Sequence, residues 1–315
     1  MSIAGNPLIS VIMPAWNESD RLLATIHSIA ETRSMDVELE VVIVDDASTD
    51  GCCSNLIEEV SASTIPGLSV KVVRLHERVG VYRTRNQGAA HASGEILFIT
   101  DAHVRFCKNW DRYVFDHIQK DRILAATITD EVSGFKGYGC NLMVPFMGTR
   151  WNLALPAELA RVQIAACPGT VLYKELFQRI GGYDEGMILY AAGEPEFSVR
   201  AWLSGAEIVS VPALEVLHRF KQKDERRQFL DGMRPFMIHN RLRFGLLYLN
   251  DLAILQMIRH FATIYSEQAQ EAFSMVENSD VWQRRDFLEN SLVHPFAWFI
   301  DQFKLKNQVG QEIPT

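Results

Sequence analysis

At 315 residues the chain is long for one ordinary domain and short for two large ones, which points to one α/β domain with an appendage. Hydrophobic residues make up 48% and charged residues 22%, the profile of a globular protein, and the net charge of -8 argues against the clustered basic surface of a nucleic-acid binder. The five cysteines (Cys52, Cys53, Cys107, Cys140, Cys167) form no C-x-x-C pair and read as reduced structural thiols of a cytoplasmic protein.

Met1 to Pro7 has neither the basic start nor the long apolar run of a signal peptide. "LISVIMPAW" is the first apolar run, rich in β-branched residues, and "LEVVIVDDAS" is the second. The stretch between them, "SDRLLATIHSIAETR", has helical periodicity, with Ser19 or Asp20 placed to cap it. This is a β-α-β pattern, and fully apolar strands imply a parallel sheet covered on both faces. "GCCSNLIEEVSAS" is expected to be a helix, "LSVKVVRL" a strand, "VYRTRNQGAAHAS" a helix and "EILFIT" a fourth strand. After residue 221 helical periodicity takes over almost without strand signal, and the most apolar part, residues 244–258, is interrupted by Asn250 and Asp251. It falls short of the roughly 20 residues a membrane helix needs.

In an open α/β sheet, ligands bind beyond the carboxyl ends of strands, where the strand order switches. Those ends carry the polar residues here. The first strand runs into Pro14-Ala15-Trp16-Asn17-Glu18, the second into Asp45-Asp46-Ala47-Ser48-Thr49-Asp50, and the fourth into Asp101-Ala102-His103. Such groups suit a nucleotide: a carboxylate accepts from base or ribose, and a divalent ion held by others neutralises a diphosphate. Turn formation and helix capping are the competing roles for Asp45, Asp46 and Asp50. There is no G-x-G-x-x-G after the first strand, which weighs against a dehydrogenase.

Taken in order, "SVIMPAWNE", "VVIVDDASTDG", "RTRNQGAAHASGEILFITDAH" and "GGYDEGM" resemble the motifs of the family 2 type nucleotide-sugar glycosyltransferases over roughly residues 8 to 220. The resemblance implies the GT-A fold, Rossmann-like, with a mostly parallel central sheet flanked by helices. It divides the chain into a catalytic domain at 1–220 and a helical C-terminal extension at 221–315, packed on it or serving a homodimer. It also implies donor-nucleotide contacts from Pro14, Ala15, Asn17, Glu18, Asp46, Arg85, Asp101 and Ala102. Where most relatives have D-x-D this chain has Asp101-Ala102-His103, and that departure resembles the polypeptide N-acetylgalactosaminyltransferases, which add a second histidine downstream of G-G-Y-D. His218 in "VPALEVLHRF" stands at that place, so Asp101, His103 and His218 are the expected ligands of Mn²⁺ (or Mg²⁺).

"YAAGEPEFSVR" resembles the acceptor-side segment of the same family. It puts Glu194 where inverting members keep a catalytic aspartate and the polypeptide transferases, which retain configuration, keep asparagine. Glu194 is therefore the candidate general base and inversion the favoured outcome, with a dipole-favoured acid at a helix start as the alternative. The same alignment puts Gly193 where inverting members keep a preceding glutamate. Gly169 and Thr170 are expected near the donor sugar and Glu196 on the acceptor side; Trp151 offers either an acceptor-stacking ring or a core filler. Residues 219–232 are placed to close over a bound donor.

The expected activity is transfer of a hexose or N-acetylhexosamine from a UDP-sugar to a hydroxyl or thiol of a peptide, glycan or small-molecule acceptor. The alternative is a nucleotide-sugar-binding or scaffold protein whose catalytic apparatus has decayed, suggested by Gly193 and the altered D-x-D.

Overall fold

The computed structural model describes residues 9–307 apart from 36, 55 and 57–64, so most of the helix expected over 51–63 lies outside the described residues. The strands are β1 (Ile9–Ala15), β2 (Leu39–Asp45), β3 (Leu68–Arg74), β4 (Ile96–Ile99), β5 (Val104–Phe106), β6 (Arg122–Asp130), β7 (Lys136–Gly137), β8 (Cys140–Met143), β9 (Gly148–Trp151), β10 (Thr170–Tyr173) and β11 (Glu207–His218). The helices are α1 (Arg21–Thr32), α2 (Val81–His91), α3 (Trp110–His117), α4 (Lys174–Ile180), α5 (Gly193–Leu203), α6 (Lys223–Tyr248), α7 (Asp251–Ile264), α8 (Ser266–Glu277), α9 (Val281–Ser291) and α10 (Phe296–Phe303).

The main sheet has the order β3-β2-β1-β4-β10-β6-β11-β5, with β7 on β6; β8 and β9 form a separate hairpin. β3, β2, β1 and β4 are parallel, as the unbroken apolar runs imply. Beyond them β10 runs antiparallel to both β4 and β6, and β5 antiparallel to β11, so the sheet as a whole is mixed. Every residue of β2 is buried and β1 is buried but for Pro14, whereas β3, at the edge, is largely half-exposed. Each fully buried Val, Ile or Leu in these strands contributes about 1.5–3 kcal/mol relative to exposure.

The chain leaves β1 toward β2 on one side and β4 pairs on the other, which makes the β1/β4 boundary the switch point. The pairing of β1 with β4 ends at Ile12 and Ile99, while β1 continues to Ala15 beside β2. A crevice therefore opens past the end of β4, walled by the continuing β1.

Helices α6 to α10 pack back on this core. The edges of Trp202 (α5) and Phe303 (α10) meet at 5.1 Å between centroids, and the backbone N–H groups of Val293 and His294 both donate to the carbonyl of Leu203 at 2.9 Å. Buried Arg243 on α6 donates to both carboxylate oxygens of Asp184 and to Asp280. Among the described residues no helix is long and apolar enough to cross a membrane.

Candidate active site

Asp101 and His103 flank Ala102 just past β4, and the turn is pinned from beneath. The hydroxyl of Thr25 on α1 lies 2.9 Å from the carbonyl of Ala102 and 3.0 Å from that of Val104, and accepts from the Val104 N–H. Ala102 is buried, as packing under this turn requires. His218 arrives from the other side of the sheet: it ends β11, whose antiparallel register with β5 sets it opposite Val104, next to His103. The imidazole centroids are 4.9 Å apart, and His218 Nε2 is 3.5 Å from Asp101 Oδ2.

One ligand atom from each of Asp101, His103 and His218 lies within 4.8 Å of the others. Atoms sharing one first-row divalent ion lie roughly 3–4 Å apart at bond lengths near 2.1 Å, so a small inward adjustment completes the set. His103 Nδ1 is 3.0 Å from Glu18 Oε2. Since a carboxylate only accepts, Nδ1 carries a proton, and in the neutral ring Nε2 then keeps the lone pair a metal would use. Burial opposes charge on Asp101, but His218 and Arg85 beside it hold its carboxyl well below the usual carboxylate range. Two imidazoles with one carboxylate fit Mn²⁺ better than Mg²⁺, which prefers oxygen alone.

Arg85 joins this cluster to the start of α5. Its guanidinium, 2% exposed, donates to Asp101 Oδ1 at 3.1 Å and to Glu194 Oε1 at 2.7 Å. Tyr82, one turn earlier on α2, donates its hydroxyl to Glu194 Oε2 at 2.9 Å. Both oxygens of Glu194 are thus engaged, and its side chain is 21% exposed. Gly193 answers to the same tyrosine: a Cβ there would lie 2.3 Å from the Tyr82 ring, so no side chain has room there.

On the donor side the predicted residues separate. Asp46 is buried, accepts from Val79 and Gly80 N–H at 2.7 and 2.9 Å, and so sits at the start of α2, where the helix dipole favours an anion. Burial, only partly offset by these bonds, raises its pKa. Asn17 has left-handed φ (55°) and its side-chain oxygen accepts from the Thr49 N–H, tying the β1 and β2 loops together. Pro14 and Ala15 remain within β1, where the Ala15 carbonyl accepts from the Asp46 N–H. Glu18 is engaged by His103 Nδ1 at 3.0 Å. Asp45 pairs with Arg74 and Asp50 accepts from Ser19 and Cys52 N–H, so both shape loops.

The sugar and acceptor candidates depart further. Glu196 is fully buried, gripped by Nε and a terminal nitrogen of Arg200 at 2.8 Å and by the Tyr248 hydroxyl at 2.9 Å; it braces α5 against α6 and does not reach the crevice. Trp151 packs over Gly137 and meets Phe135 edge-on at 5.8 Å, the core-filling role. Thr170 is buried in β10, and a Cβ on Gly169 would lie 2.5 Å from that of Ala126, so this pair is packed into the sheet. Residues 219–222 lead into α6, with the Phe220 ring 4.3 Å from that of His218.

Three neighbours of the site were not singled out in the sequence, Tyr82, Tyr190 and Arg78, and Cys167, read there only as a structural thiol, has its Sγ 3.9 Å from Asp101 Oδ1. The Arg78 guanidinium lies 3.5 Å over the face of half-exposed Trp16, where a flat base would stack. The only hint was a cation shortly after the third strand, too common to single out.

Residues 10–170, just over half of the chain, match the model of Glycosyl transferase family 2. That span contains Asp101 and His103 and stops short of His218. Among relatives, human Polypeptide N-acetylgalactosaminyltransferase 15 is 27% identical over 93% of this chain and 47% of its own length. Polypeptide N-acetylgalactosaminyltransferase 5 of Caenorhabditis elegans is 25% identical over 94% of this chain and 48% of its own. The chain spans about half the length of the curated relatives it matches. The crystal structure of GalNAc-T7 with UDP, GalNAc and Mn²⁺ is similar at a TM-score of 0.74 and 19% identity, over 96% of this chain and 57% of that one. The mannosyltransferase PcManGT from Pyrobaculum calidifontis, in complex with GDP-Man and Mn²⁺, gives 0.55 and 19%, over 87% and 75%. These likenesses establish the GT-A fold, and the first of them includes the C-terminal helices.

Proposed function

From the premise that this chain belongs to glycosyl transferase family 2, and is thus a glycosyltransferase, we propose a metal-dependent enzyme that moves an N-acetylhexosamine from a UDP-sugar to a peptide hydroxyl. The observation that carries this is the convergence of Asp101, His103 and His218 at the switch-point crevice, fastened through Arg85 to the acceptor-side segment. The names of the relatives, polypeptide N-acetylgalactosaminyltransferases, support the N-acetylhexosamine and the peptide. The likeness to a structure holding UDP and Mn²⁺ supports the donor and the ion.

In this reading Asp101, His103 and His218 hold Mn²⁺, which when bound supplies positive charge against the departing diphosphate. Glu18 keeps His103 in the ligating tautomer. Trp16 offers its face to the base once Arg78 moves aside, and Asp46 stands beside it. Arg85 keeps Asp101 ionised and aimed while contributing fixed positive charge in a buried setting.

Glu194 decides the stereochemistry. Each of its oxygens already accepts a hydrogen bond, one from Arg85 and the other from Tyr82, so the carboxylate is held by two side chains of α2. We therefore read Glu194 as the anchor of Arg85, which favours a product of retained configuration over the inversion expected from sequence. The intact ligand set and the filling of the Gly193 space by Tyr82 favour an active enzyme over a decayed scaffold.

A panel of UDP-, GDP- and other nucleotide sugars with Mn²⁺ and a Ser/Thr peptide, followed by NMR of the anomeric proton, tests the reading. It predicts transfer from a UDP-N-acetylhexosamine with an α-linked product from an α-linked donor. A β-linked product would restore Glu194 as base.

A further inference from the structure

Between Met187 and α5 the backbone does something costly. Leu189, Ala191 and Ala192 have φ of 51°, 75° and 68°, so three non-glycine residues in four positions are left-handed, where Cβ crowds the backbone. Such a trace persists only if its surroundings over-determine it. The following residues are Gly193 and Glu194, and the Ala192 carbonyl accepts the α5 bond from Glu196 N–H, so the loop sets the position of the Glu194 carboxylate on Arg85.

One side chain accounts for most of the hold. Asn240, fully buried on α6, accepts the Ile188 N–H on Oδ1 at 2.8 Å. Its Nδ2 lies 2.8 Å from the carbonyl of Ile188, 2.9 Å from that of Tyr190 and 3.0 Å from that of Ala191. Two amide hydrogens are shared among three carbonyls that this trace brings to one point. His239 Nδ1 lies 2.8 Å from Asn240 Oδ1 and must donate, since that oxygen only accepts; the pair fixes which way the amide faces. The loop is also attached to α2, through Val81 N–H on the Leu189 carbonyl at 3.1 Å. Tyr190, at the tip, is partly exposed and meets Phe229 of α6 edge-on at 5.0 Å.

We propose that Asn240 is a positioning residue for the reaction: its amide holds residues 188–192 in a strained left-handed trace, and thereby fixes Glu194 on Arg85. The proposal rests on the reading of this crevice as a transfer site. It is a role for a residue that touches neither donor nor metal, and it makes acceptor use, not donor binding, the property at stake.

The test separates loop order from function. In Asn240→Ala, hydrogen exchange of peptides covering 186–193 should rise roughly tenfold while those of β1 and β2 do not change. UDP affinity in Mn²⁺ should hold, and kcat/KM for the acceptor should fall by about tenfold or more. Ala191→Gly with Ala192→Gly, added to Asn240→Ala, should restore much of the lost transfer, because glycine adopts positive φ without the Cβ penalty. The same glycine pair with Asn240 intact should raise the thermal unfolding midpoint, a reading available even if Asn240→Ala does not fold. Unchanged exchange, equal loss of UDP affinity, no glycine rescue, or a midpoint that stays or falls in the intact background would each overturn the proposal. Absence of transfer by the unaltered protein with every donor would overturn the functional reading and leave the exchange result to judge the clamp.

Discussion

The Nε2 atom of His218 lies 3.5 Å from Oδ2 of Asp101, although the two residues belong to opposite halves of the sheet. The antiparallel pairing of β11 with β5 sets His218 beside the turn that carries Asp101. If this contact marks shared ligation, His218→Ala should lower Mn²⁺ affinity and metal-dependent UDP release by more than the roughly 10–100-fold typical of losing an outer-shell partner. Calorimetric titration with Mn²⁺, beside an assay of UDP release, measures both.

Glu18→Gln distinguishes two roles for one carboxylate. Its hydrogen bond to His103 predicts Mn²⁺ affinity weakened by about 10–100-fold, with UDP affinity at saturating Mn²⁺ unchanged. A direct nucleotide contact would give the reverse pattern.

Gly193→Ala should crowd the Tyr82 ring and cost about 1–3 kcal/mol of stability by overpacking. Tyr82→Ala in the same chain should recover part of it, with a coupling on the order of 0.5–3 kcal/mol in a double-mutant cycle of denaturant midpoints. Additive losses would mean that the two residues are independent.

The buried Asp184–Arg243 pair ties the loop after α4 to α6. Arg243→Ala leaves Asp184 charged and buried and should cost about 3–5 kcal/mol. Burial works against the Asp184 charge, but Arg243 holds its pKa below the ordinary 3.8. Its contribution is therefore complete above that unfolded value and is lost as pH falls through the lower folded value. The unfolding midpoint of Asp184→Asn should accordingly be lower than that of the unaltered chain near neutral pH, with the gap narrowing below about pH 4.

The strands that carry the site were legible because each is a local pattern: an unbroken apolar run with a polar end. Asp46, Asp101 and His103 follow from those ends. His218 was reached through resemblance, since no local feature sets a strand-end histidine apart. Partners were the illegible part. That Glu18 turns to His103, or Tyr82 to Glu194, depends on how α1, α2 and α5 lie against one another, which no short window encodes. Glu194 and Glu196 show the limit well: two positions apart on a helix, they point to nearly opposite sides. One meets Arg85 at the crevice, and the other meets Arg200 in the core. The spacing of Glu196 and Arg200, one helical turn, was the available sign of a pair.

In the proposed mechanism the two histidines and Asp101 form a metal site through which the donor is held. The most direct measurement is titration of UDP into the protein with and without Mn²⁺, in the unaltered chain and in Asp101→Asn. The account predicts binding that depends on Mn²⁺ in the first and is lost in the second. UDP bound equally well without the ion, or with Asp101 replaced, would contradict it.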